Sequence, residues 1–274
     1  IRVPSPALCR QPKGTPPDEA CRAALAEVAA VFRQHKGEIA AVVMEPIVQA
    51  AGGILVHPPG FLRGMRELTH EHDILLILDE VAMGFGRTGT LFACEQEDVA
   101  PDFLCLAKGL TAGYLPMAAT LTTERVWNAF LGTHAQRRTF FHGHTYGGNP
   151  LAAAVALESL AIFADEHLLD SMQPSIERLH ERVAALADHP HVGDIRTCGM
   201  IAAIELVADR TGPTAYDASE ARGMQACLAA RKHGVLLRPL GDVVVIMPPL
   251  CVSPAEIDQL CEAAAAGISE ACGG

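Results

Sequence analysis

The sequence predicts an α/β fold in which buried strands alternate with helices, followed by a smaller α+β domain. Continuous apolar runs recur along the first half of the chain, and segments with helical spacing of apolar residues separate some of these runs. Apolar runs without alternation are typical of strands that are covered on both faces of a sheet. With 274 residues, of which 50% are hydrophobic and 19% charged, the chain can bury a full core and can divide into two domains.

The first 165 residues contain the predicted sheet. The spacing predicts helices over 17–36, 59–72 and about 150–164, and the apolar runs predict buried strands over 39–44, 74–78, 103–106 and 117–121. Pro16, Pro17 and Asp18 are start signals for the first helix. Because strands and helices alternate here, we assign residues 1–165 to a large α/β domain.

The pattern changes at about residue 166. A charged amphipathic helix is predicted over 168–187, short strands near 193–206 and 234–247, and further helices near 217–233 and 254–270. Short strands mixed with amphipathic helices are typical of an α+β arrangement. We therefore assign residues 166–274 to a small C-terminal domain.

Charge, hydropathy and cysteine content exclude several classes of function. The net charge is −11 and no basic run stands out, so we expect no nucleic-acid partner. No apolar stretch reaches the ~18 uncharged residues that a membrane helix needs, so we expect no membrane association. The nine cysteines are scattered and form no Cys-x-x-Cys pair, which favours free thiols in a reducing cytoplasm.

Charged side chains follow three of the predicted strands. Glu45 comes after the first strand, Asp79 after the second and Lys108 after the third. In open α/β sheets, ligands bind at the carboxyl ends of the strands. A buried charge without a partner costs several kcal/mol. Asp79 and Lys108 therefore form a salt bridge, or Lys108 reaches solvent, or both residues bind a ligand.

Pyridoxal 5′-phosphate (PLP) is a cofactor that uses both of these charges. Its aldehyde condenses with a lysine amine, and its ring nitrogen needs a carboxylate partner in order to stay protonated. The lysine has to be partly desolvated, so that its pKa falls and the free amine is available. Lys108 and Asp79 are of the two residue types that this chemistry requires.

The sequence disfavours two other kinds of site, one for a dinucleotide and one for a metal ion. Residues 84–89 match the pattern G-x-G-x-x-G, but residues 79–83 separate them from the strand, and two carboxylates there would repel a pyrophosphate. Thr88-Gly89-Thr90-Leu91 is also a poor helix start. His142 and His144 lack a third ligand in the sequence, so no metal site is predicted.

Longer motifs around these residues resemble those of the class III aminotransferases. Residues 78–81 with 84–89 resemble the signature of this family, and residues 105–110 with 113–116 resemble the region of its Schiff-base lysine. Residues 45–49 are also similar to the family, and the resemblance extends over about 40–250. It implies a three-layer, type I PLP-dependent transferase fold with an incomplete large domain in front of the small one.

The resemblance implies a role for each matching residue of the large domain. Lys108 would hold PLP covalently and afterwards move a proton between the substrate and the cofactor. Asp79 would pair with the ring nitrogen, and Val81 would pack on a face of the ring. Glu45 would lie near the cofactor. Lys108 would also contact the substrate.

Residues further along the chain complete the implied site. His144 and Thr145 occupy positions at which the family binds the cofactor phosphate across a homodimer interface. Gly143 would lie close to the substrate. Arg238 occupies the position of an arginine that binds the substrate carboxylate, a role that suits its fork of donors.

Within the class, several stretches resemble the enzymes of biotin biosynthesis that use S-adenosylmethionine as amino donor and 8-amino-7-oxononanoate as acceptor, giving 7,8-diaminononanoate. They are residues 91–95, 100–102, 119–123, 141–152, 237–241 and 246–249. Two alternatives stay open. One is a class III transaminase that acts on ω-amino acids, ornithine or lysine, and the other is a non-catalytic, truncated relative.

One part of the family pattern does not match. The N-terminal part of the family carries a Gly-Ser or Gly-Thr turn that binds the PLP phosphate and an aromatic residue that stacks on the ring. The Gly-Thr pairs here begin at residues 14, 89 and 132, and none opens a convincing helix. We therefore expect the isolated chain to be poorly soluble and inactive.

Overall fold

The structure is a computed structural model that describes residues 1–12, 14–211 and 214–273. Its first part contains helix α1 (Pro17–Gln34), strand β1 (Ala41–Met44), the short strands β2 (Val48–Gln49) and β3 (Leu55–Val56), helix α2 (Phe61–Glu71), strands β4 (Leu75–Asp79), β5 (Phe103–Leu106) and β6 (Ala119–Thr122), and helices α3 (Glu124–Ala129) and α4 (Pro150–Asp165). The predicted helices and the four predicted strands are all present, with bounds that differ by a few residues.

The first sheet has the strand order β1-β4-β5-β6. Strands β1, β4 and β5 are parallel, so that their carboxyl ends meet at one edge of the sheet. Strand β6 runs antiparallel to β5, and three of its four residues are exposed. The prediction that all four strands are buried is wrong at both edges of the sheet: β6 has Leu121 52% exposed, and β1 has no buried residue and has Val43 66% exposed.

Apolar side chains of the central strands form the core of the first part. Leu76 and Leu78 of β4 are fully buried and pack with Leu104 of β5, Leu62 of α2 and Ala156 of α4. Burial of a leucine side chain contributes roughly 1.5–3 kcal/mol. Helices α2 and α4 thus pack on the strands whose ends carry the predicted site.

The second part contains helices α5 (Leu168–Ser171) and α6 (Gln173–Ala184), strands β7 (Val192–Thr197) and β8 (Ala202–Leu206), helix α7 (Arg222–Ala230), strands β9 (Arg238–Leu240) and β10 (Val243–Ile246), and helix α8 (Pro254–Cys272). Its sheet has the order β7-β8-β10-β9 and is antiparallel throughout. The helix predicted over 168–187 is divided at Met172. Pro174 lies in the first turn of α6, where the missing N–H of proline is tolerated, so a new helix begins there.

Helices α6, α7 and α8 cover this sheet. Leu179, Ile204, Ile246 and Ile257 are buried in one apolar cluster. Helices α7 and α8 approach so closely that a Cβ atom on Gly267 would lie 2.4 Å from the carbonyl oxygen of Ala226. Only glycine permits that contact between the helices.

A third apolar cluster joins the two parts of the chain. Val48, Ile54 and Met83 from the first part pack with Ile201 and other side chains from the second. The division predicted between residues 165 and 166 coincides with the end of α4. It stays a prediction, and the two parts share buried side chains across it.

Within the described ranges, no helix has both the length and the hydrophobicity that crossing a bilayer requires. All nine cysteines are free thiols. No group of three or more His, Cys, Asp or Glu side chains in this part of the chain could hold a metal ion.

Candidate active site

Three charged residues lie at the carboxyl edge of the parallel strands. Glu45 follows β1, Asp79 ends β4, and Lys108 follows β5 by two residues. Burial raises the pKa of the Glu45 carboxyl; the amide of Ala50 opposes that rise, the charge of Asp79 adds to it and the charge of Lys108 lowers it. The structure therefore brings Glu45 within electrostatic reach of both other groups.

Asp79 has one carboxylate oxygen available to a ligand. Its Oδ1 atom accepts a hydrogen bond from the backbone N–H of Val81 at 3.0 Å. Its Oδ2 atom accepts no hydrogen bond among the described residues. The ion pairs of these residues include neither Asp79 nor Lys108, so the salt-bridge interpretation of this pair is excluded.

Lys108 has an unusual backbone conformation. Its φ of 34° lies in the left-handed region, which residues with a side chain rarely adopt. Lys108 begins a 3-10 turn that ends at Thr111, and a Cβ atom on Gly109 would lie 2.7 Å from the Cβ atom of Phe85. Backbone strain of this kind is frequent at active sites and persists where the surrounding structure holds it.

The side chain of Lys108 is exposed. The expectation that the lysine is partly desolvated is therefore not met within this chain, because the described residues do not enclose the amine. Exposure leaves the amine open to a ligand in the adjoining cavity.

A cavity of about 770 Å³ adjoins Lys108 and lies between the two parts of the chain. Ala50, Ala51, Ile54 and Ala82 line it from the first part. Its other wall consists of residues of the second part, among them Leu236, Arg238, Met247, Pro248 and Cys251. The structure thus brings Arg238 to the same cavity as Lys108, although 130 residues separate them in the sequence.

The segment 84–89 supports this site and has no phosphate-binding geometry. Its Phe85 packs against the turn of Lys108, and no helix follows Gly89 directly. Arg87 donates hydrogen bonds to the carbonyl oxygens of Pro248 at 2.7 Å and Met200 at 3.2 Å. Burial lowers the pKa of Arg87 to about 10. Arg87 therefore fastens this loop to the wall of the cavity.

Glu80 is a residue whose role the sequence did not indicate. It is fully buried, and its two carboxylate oxygens accept hydrogen bonds from the backbone N–H groups of Ala93 and Cys94, both at 2.8 Å. Burial raises the pKa of this carboxyl, and the two amide hydrogen bonds oppose the rise. Glu80 anchors the loop, and because consecutive strand residues point to opposite faces, the side chain of Asp79 lies on the other face of the sheet.

Glu45 and Asp79 lie at the strand edge but do not line the cavity, and the remaining predicted residues do not converge on it within this chain. Gly143, His144 and Thr145 are exposed, and none of them lines the cavity. The Nδ1 atom of His144 accepts a hydrogen bond from the N–H of Tyr146 at 3.2 Å. Val81 is half-buried next to Ala82. The roles predicted for these four residues stay predictions.

Comparison with known proteins gives the same picture of the fold. The family described as "Aminotransferase class-III" matches residues 3–268. The adenosylmethionine-8-amino-7-oxononanoate aminotransferase of Geobacter sulfurreducens is 50% identical over 275 residues, which cover 100% of this chain and 61% of that protein. The chain thus spans about three fifths of the length of this relative.

Solved structures agree over almost the whole chain. The crystal structure of the adenosylmethionine-8-amino-7-oxononanoate aminotransferase from Methanocaldococcus jannaschii superimposes with a TM-score of 0.89 at 39% identity, covering 93% of this chain and 59% of that one. An (S)-enantioselective ω-transaminase from Thermomicrobium roseum superimposes with a TM-score of 0.93 at 35% identity, covering 99% and 60%. The predicted transferase fold is confirmed.

Proposed function

The chain belongs to the class III aminotransferases, which depend on PLP, and we propose that the protein transfers the amino group of S-adenosylmethionine to 8-amino-7-oxononanoate, giving 7,8-diaminononanoate for biotin biosynthesis. The choice of substrates rests on the similarity of the whole chain to the adenosylmethionine-8-amino-7-oxononanoate aminotransferase of Geobacter sulfurreducens. The meeting of Asp79, Glu45 and Lys108 at one sheet edge supports the chemistry.

The described residues fit PLP. Lys108 has an exposed amine beside a cavity large enough for a small ligand, and this amine would hold the cofactor covalently. Asp79 has an oxygen atom, Oδ2, that is free to accept the N–H of a protonated ring nitrogen. Val81, whose own N–H orients Asp79, would pack on the ring.

Lys108 would also move the proton during the reaction. Bound PLP withdraws electrons from the carbon that carries the amino group, which makes the proton on that carbon removable. The Nζ atom of Lys108, in its neutral form, would take this proton from the donor carbon and deliver it to the cofactor. In the second half-reaction the same amine would move a proton in the reverse direction, from the cofactor to the acceptor.

Arg238 would bind the carboxylate of the acceptor. Arg238 borders the cavity, and a guanidinium binds a carboxylate through two parallel hydrogen bonds. Ile54, Leu236 and Met247 give the cavity apolar walls, which suit the hydrocarbon chain of a nonanoate. The distance between Arg238 and Lys108 along the cavity would select for chain length.

We also propose that the protein is a cytoplasmic homodimer in which His144, Thr145 and Gly143 reach the site of the partner. Trp127, Phe141 and Tyr146 are 55%, 90% and 75% exposed, and exposed apolar side chains mark an interaction site where they are contiguous. Nine free thiols are typical of a protein in a reducing compartment.

A second candidate is an ω-amino-acid transaminase. The chain superimposes closely on the Thermomicrobium roseum enzyme as well, and the fold alone does not distinguish the amino donor. The residues that would discriminate between donors are those that line the cavity.

Half-reaction assays on the PLP-loaded protein separate the two candidates. We expect S-adenosylmethionine to convert the bound cofactor to its amino form, and 8-amino-7-oxononanoate to convert it back with formation of 7,8-diaminononanoate. The absorption spectrum follows the first step and mass spectrometry identifies the product. Conversion by lysine, ornithine or an ω-amino acid, with no response to S-adenosylmethionine, would favour the second candidate.

A further inference from the structure

The loop at residues 50–54, which connects β2 to β3, has a strained backbone. Ile54 has a φ of 55°, and Ile47 before β2 has a φ of 61°. Such values are genuine outliers for branched side chains. Ile54 is 1% exposed and lines the cavity together with Ala50 and Ala51. Strain at a cavity wall persists only when neighbouring groups hold it.

Arg196 of β7 holds the far end of this loop. Its side chain is 5% exposed. Its Nε atom donates to the carbonyl oxygen of Ile54 at 2.9 Å, and its Nη2 atom donates to that of Gly53 at 2.8 Å. Its Nη1 atom donates to the carboxylates of Asp194 and Glu205, both at 2.5 Å. The planar guanidinium therefore fixes the loop relative to the second sheet.

Glu45 holds the near end of the loop. Its Oε2 atom accepts a hydrogen bond from the backbone N–H of Ala50 at 2.8 Å. The N–H groups of Gly53 and Ile54 in turn donate to the carbonyl oxygen of Ala50, at 3.1 and 2.9 Å. The loop thus extends from the carboxyl edge of the parallel strands to the second sheet, with one anchor at each end.

We propose that Arg196 is a positioning residue for the substrate: by holding Gly53 and Ile54, it sets where the cavity wall lies relative to Lys108. This inference rests on the proposed aminotransferase function. Arg196 does not line the cavity, so it acts on the substrate only through the loop. It follows that the fit of the substrate depends on a buried residue that the substrate never touches.

The test is the variant Arg196→Lys in the PLP-loaded protein. Lysine keeps a positive charge beside Asp194 and Glu205 but cannot donate to the two loop carbonyls with a planar fork. We expect the KM for 8-amino-7-oxononanoate to rise roughly tenfold, as the loss of one to two hydrogen bonds predicts, with kcat changed far less. Backbone amides of residues 50–56 should exchange hydrogen several times faster in the cofactor-free variant.

Arg10→Lys is the matched control. Arg10 donates to the same Glu205, at 3.1 Å, but not to the loop carbonyls, so KM and amide exchange should stay at their wild-type values. If Arg196→Lys does not fold, Asp194→Asn keeps the arginine and removes one carboxylate that orients it. This variant should shift KM and exchange in the same direction by a smaller factor.

Two results would have different meanings. A lower melting temperature with unchanged KM and unchanged exchange at residues 50–56 would restrict Arg196 to a structural role and overturn the inference. A wild-type protein that accepts an amino group from none of the tested donors would instead overturn the proposed function. In that case the exchange measurement would still report whether Arg196 anchors the loop.

Discussion

Lys108 and Asp79 are held by different means at the residue scale. The lysine has a left-handed backbone in a turn that packs on Phe85, whereas the aspartate ends a regular strand and is oriented by the N–H of Val81. A substitution at either position therefore removes a functional group without removing a core side chain. Loss of activity at these two positions can be read as loss of chemistry.

Replacement of Lys108 by alanine should abolish amino transfer. The variant loses the covalent anchor and the group that moves the proton, and a positioned acid–base group contributes about 10²–10⁴ in rate. Borohydride reduction followed by peptide mass spectrometry should fix PLP on the peptide of Lys108 in the wild type only. Lys36→Ala is the control, and a Lys108→Ala enzyme with normal kcat would disprove the role.

Replacement of Asp79 by asparagine should lower kcat by roughly 10²–10³, the usual cost of removing one electrostatic partner of the transition state. Asparagine keeps an acceptor for the N–H of Val81, so the fold should be retained. A PLP analogue methylated at the ring nitrogen carries its positive charge without a carboxylate. It should restore part of the rate to the variant, and equal rates for Asp79→Asn and wild type with PLP would exclude the pairing.

The element scale shows how the ends of strands and loops are fastened. Glu80 ties the residues after β4 to the amides of Ala93 and Cys94, and Arg87 ties the same loop to Pro248. Between β3 and α2, His57 is largely buried, its Nδ1 atom has no hydrogen-bond partner, and its ring packs edge-on against Phe61 at 5.5 Å. No hydrogen bond therefore offsets the burial of the Nδ1 atom of His57.

This burial predicts a pH dependence of stability. It lowers the pKa of His57 from 6.5 to about 4, so the unfolded chain binds a proton in a range where the folded protein does not. The free energy of unfolding should therefore decrease as the pH falls from 6.5 towards 4, by up to about 3 kcal/mol. Urea unfolding of wild type and His57→Leu across this range measures the effect.

The leucine variant should lack this component of the pH dependence, because it has no group to titrate there. His70→Leu, which removes an exposed histidine of helix α2, should keep the wild-type slope. Parallel stability curves for wild type and His57→Leu would mean that His57 has the same pKa in the folded and unfolded states.

At the scale of the whole molecule, exposed apolar side chains concentrate between residues 114 and 162. Tyr114, Trp127, Phe141, Tyr146 and Leu151 are each more than half exposed. In the second part of the described chain, large apolar side chains with such exposure are fewer, with Leu236 at 78%. This distribution is the physical basis for proposing that the surface of residues 114–162 is covered by a second copy of the protein.

The variant Phe141→Asp should weaken that dimer. A carboxylate buried in an apolar interface without a partner costs several kcal/mol, so the dissociation constant should rise about 100-fold or more. Sedimentation analysis measures the change, and activity should fall with the dimer if His144 and Thr145 act in the partner. Leu228→Asp, at a 47% exposed position of α7, is the control; an unchanged mass for Phe141→Asp would place the interface elsewhere.

Much of the fold follows from local pattern. The runs over 74–78 and 103–106 correspond to β4 and β5 almost residue for residue, because buried parallel strands require continuous apolar side chains. The sequence did not reveal β2 and β3, since each has only two residues and no run to recognise. Nor did the sequence reveal that β6 is exposed. The burial of a strand depends on the elements that pack beside it, and the residues of the strand do not show which elements these are.

The candidate site likewise has one part that follows from the sequence and another part that only the tertiary structure shows. Glu45, Asp79 and Lys108 were found from the sequence alone, since parallel strands bring their carboxyl ends to one edge once the strands are recognised. The meeting of Arg238 with Lys108, the anchoring by Arg196 and the burial of Glu80 were decided by the tertiary structure. The loop that follows β4 buries Glu80. The contacts of Arg238 and Arg196 join residues more than 100 positions apart, and only the packing of the two sheets brings them onto one cavity or within hydrogen-bonding distance.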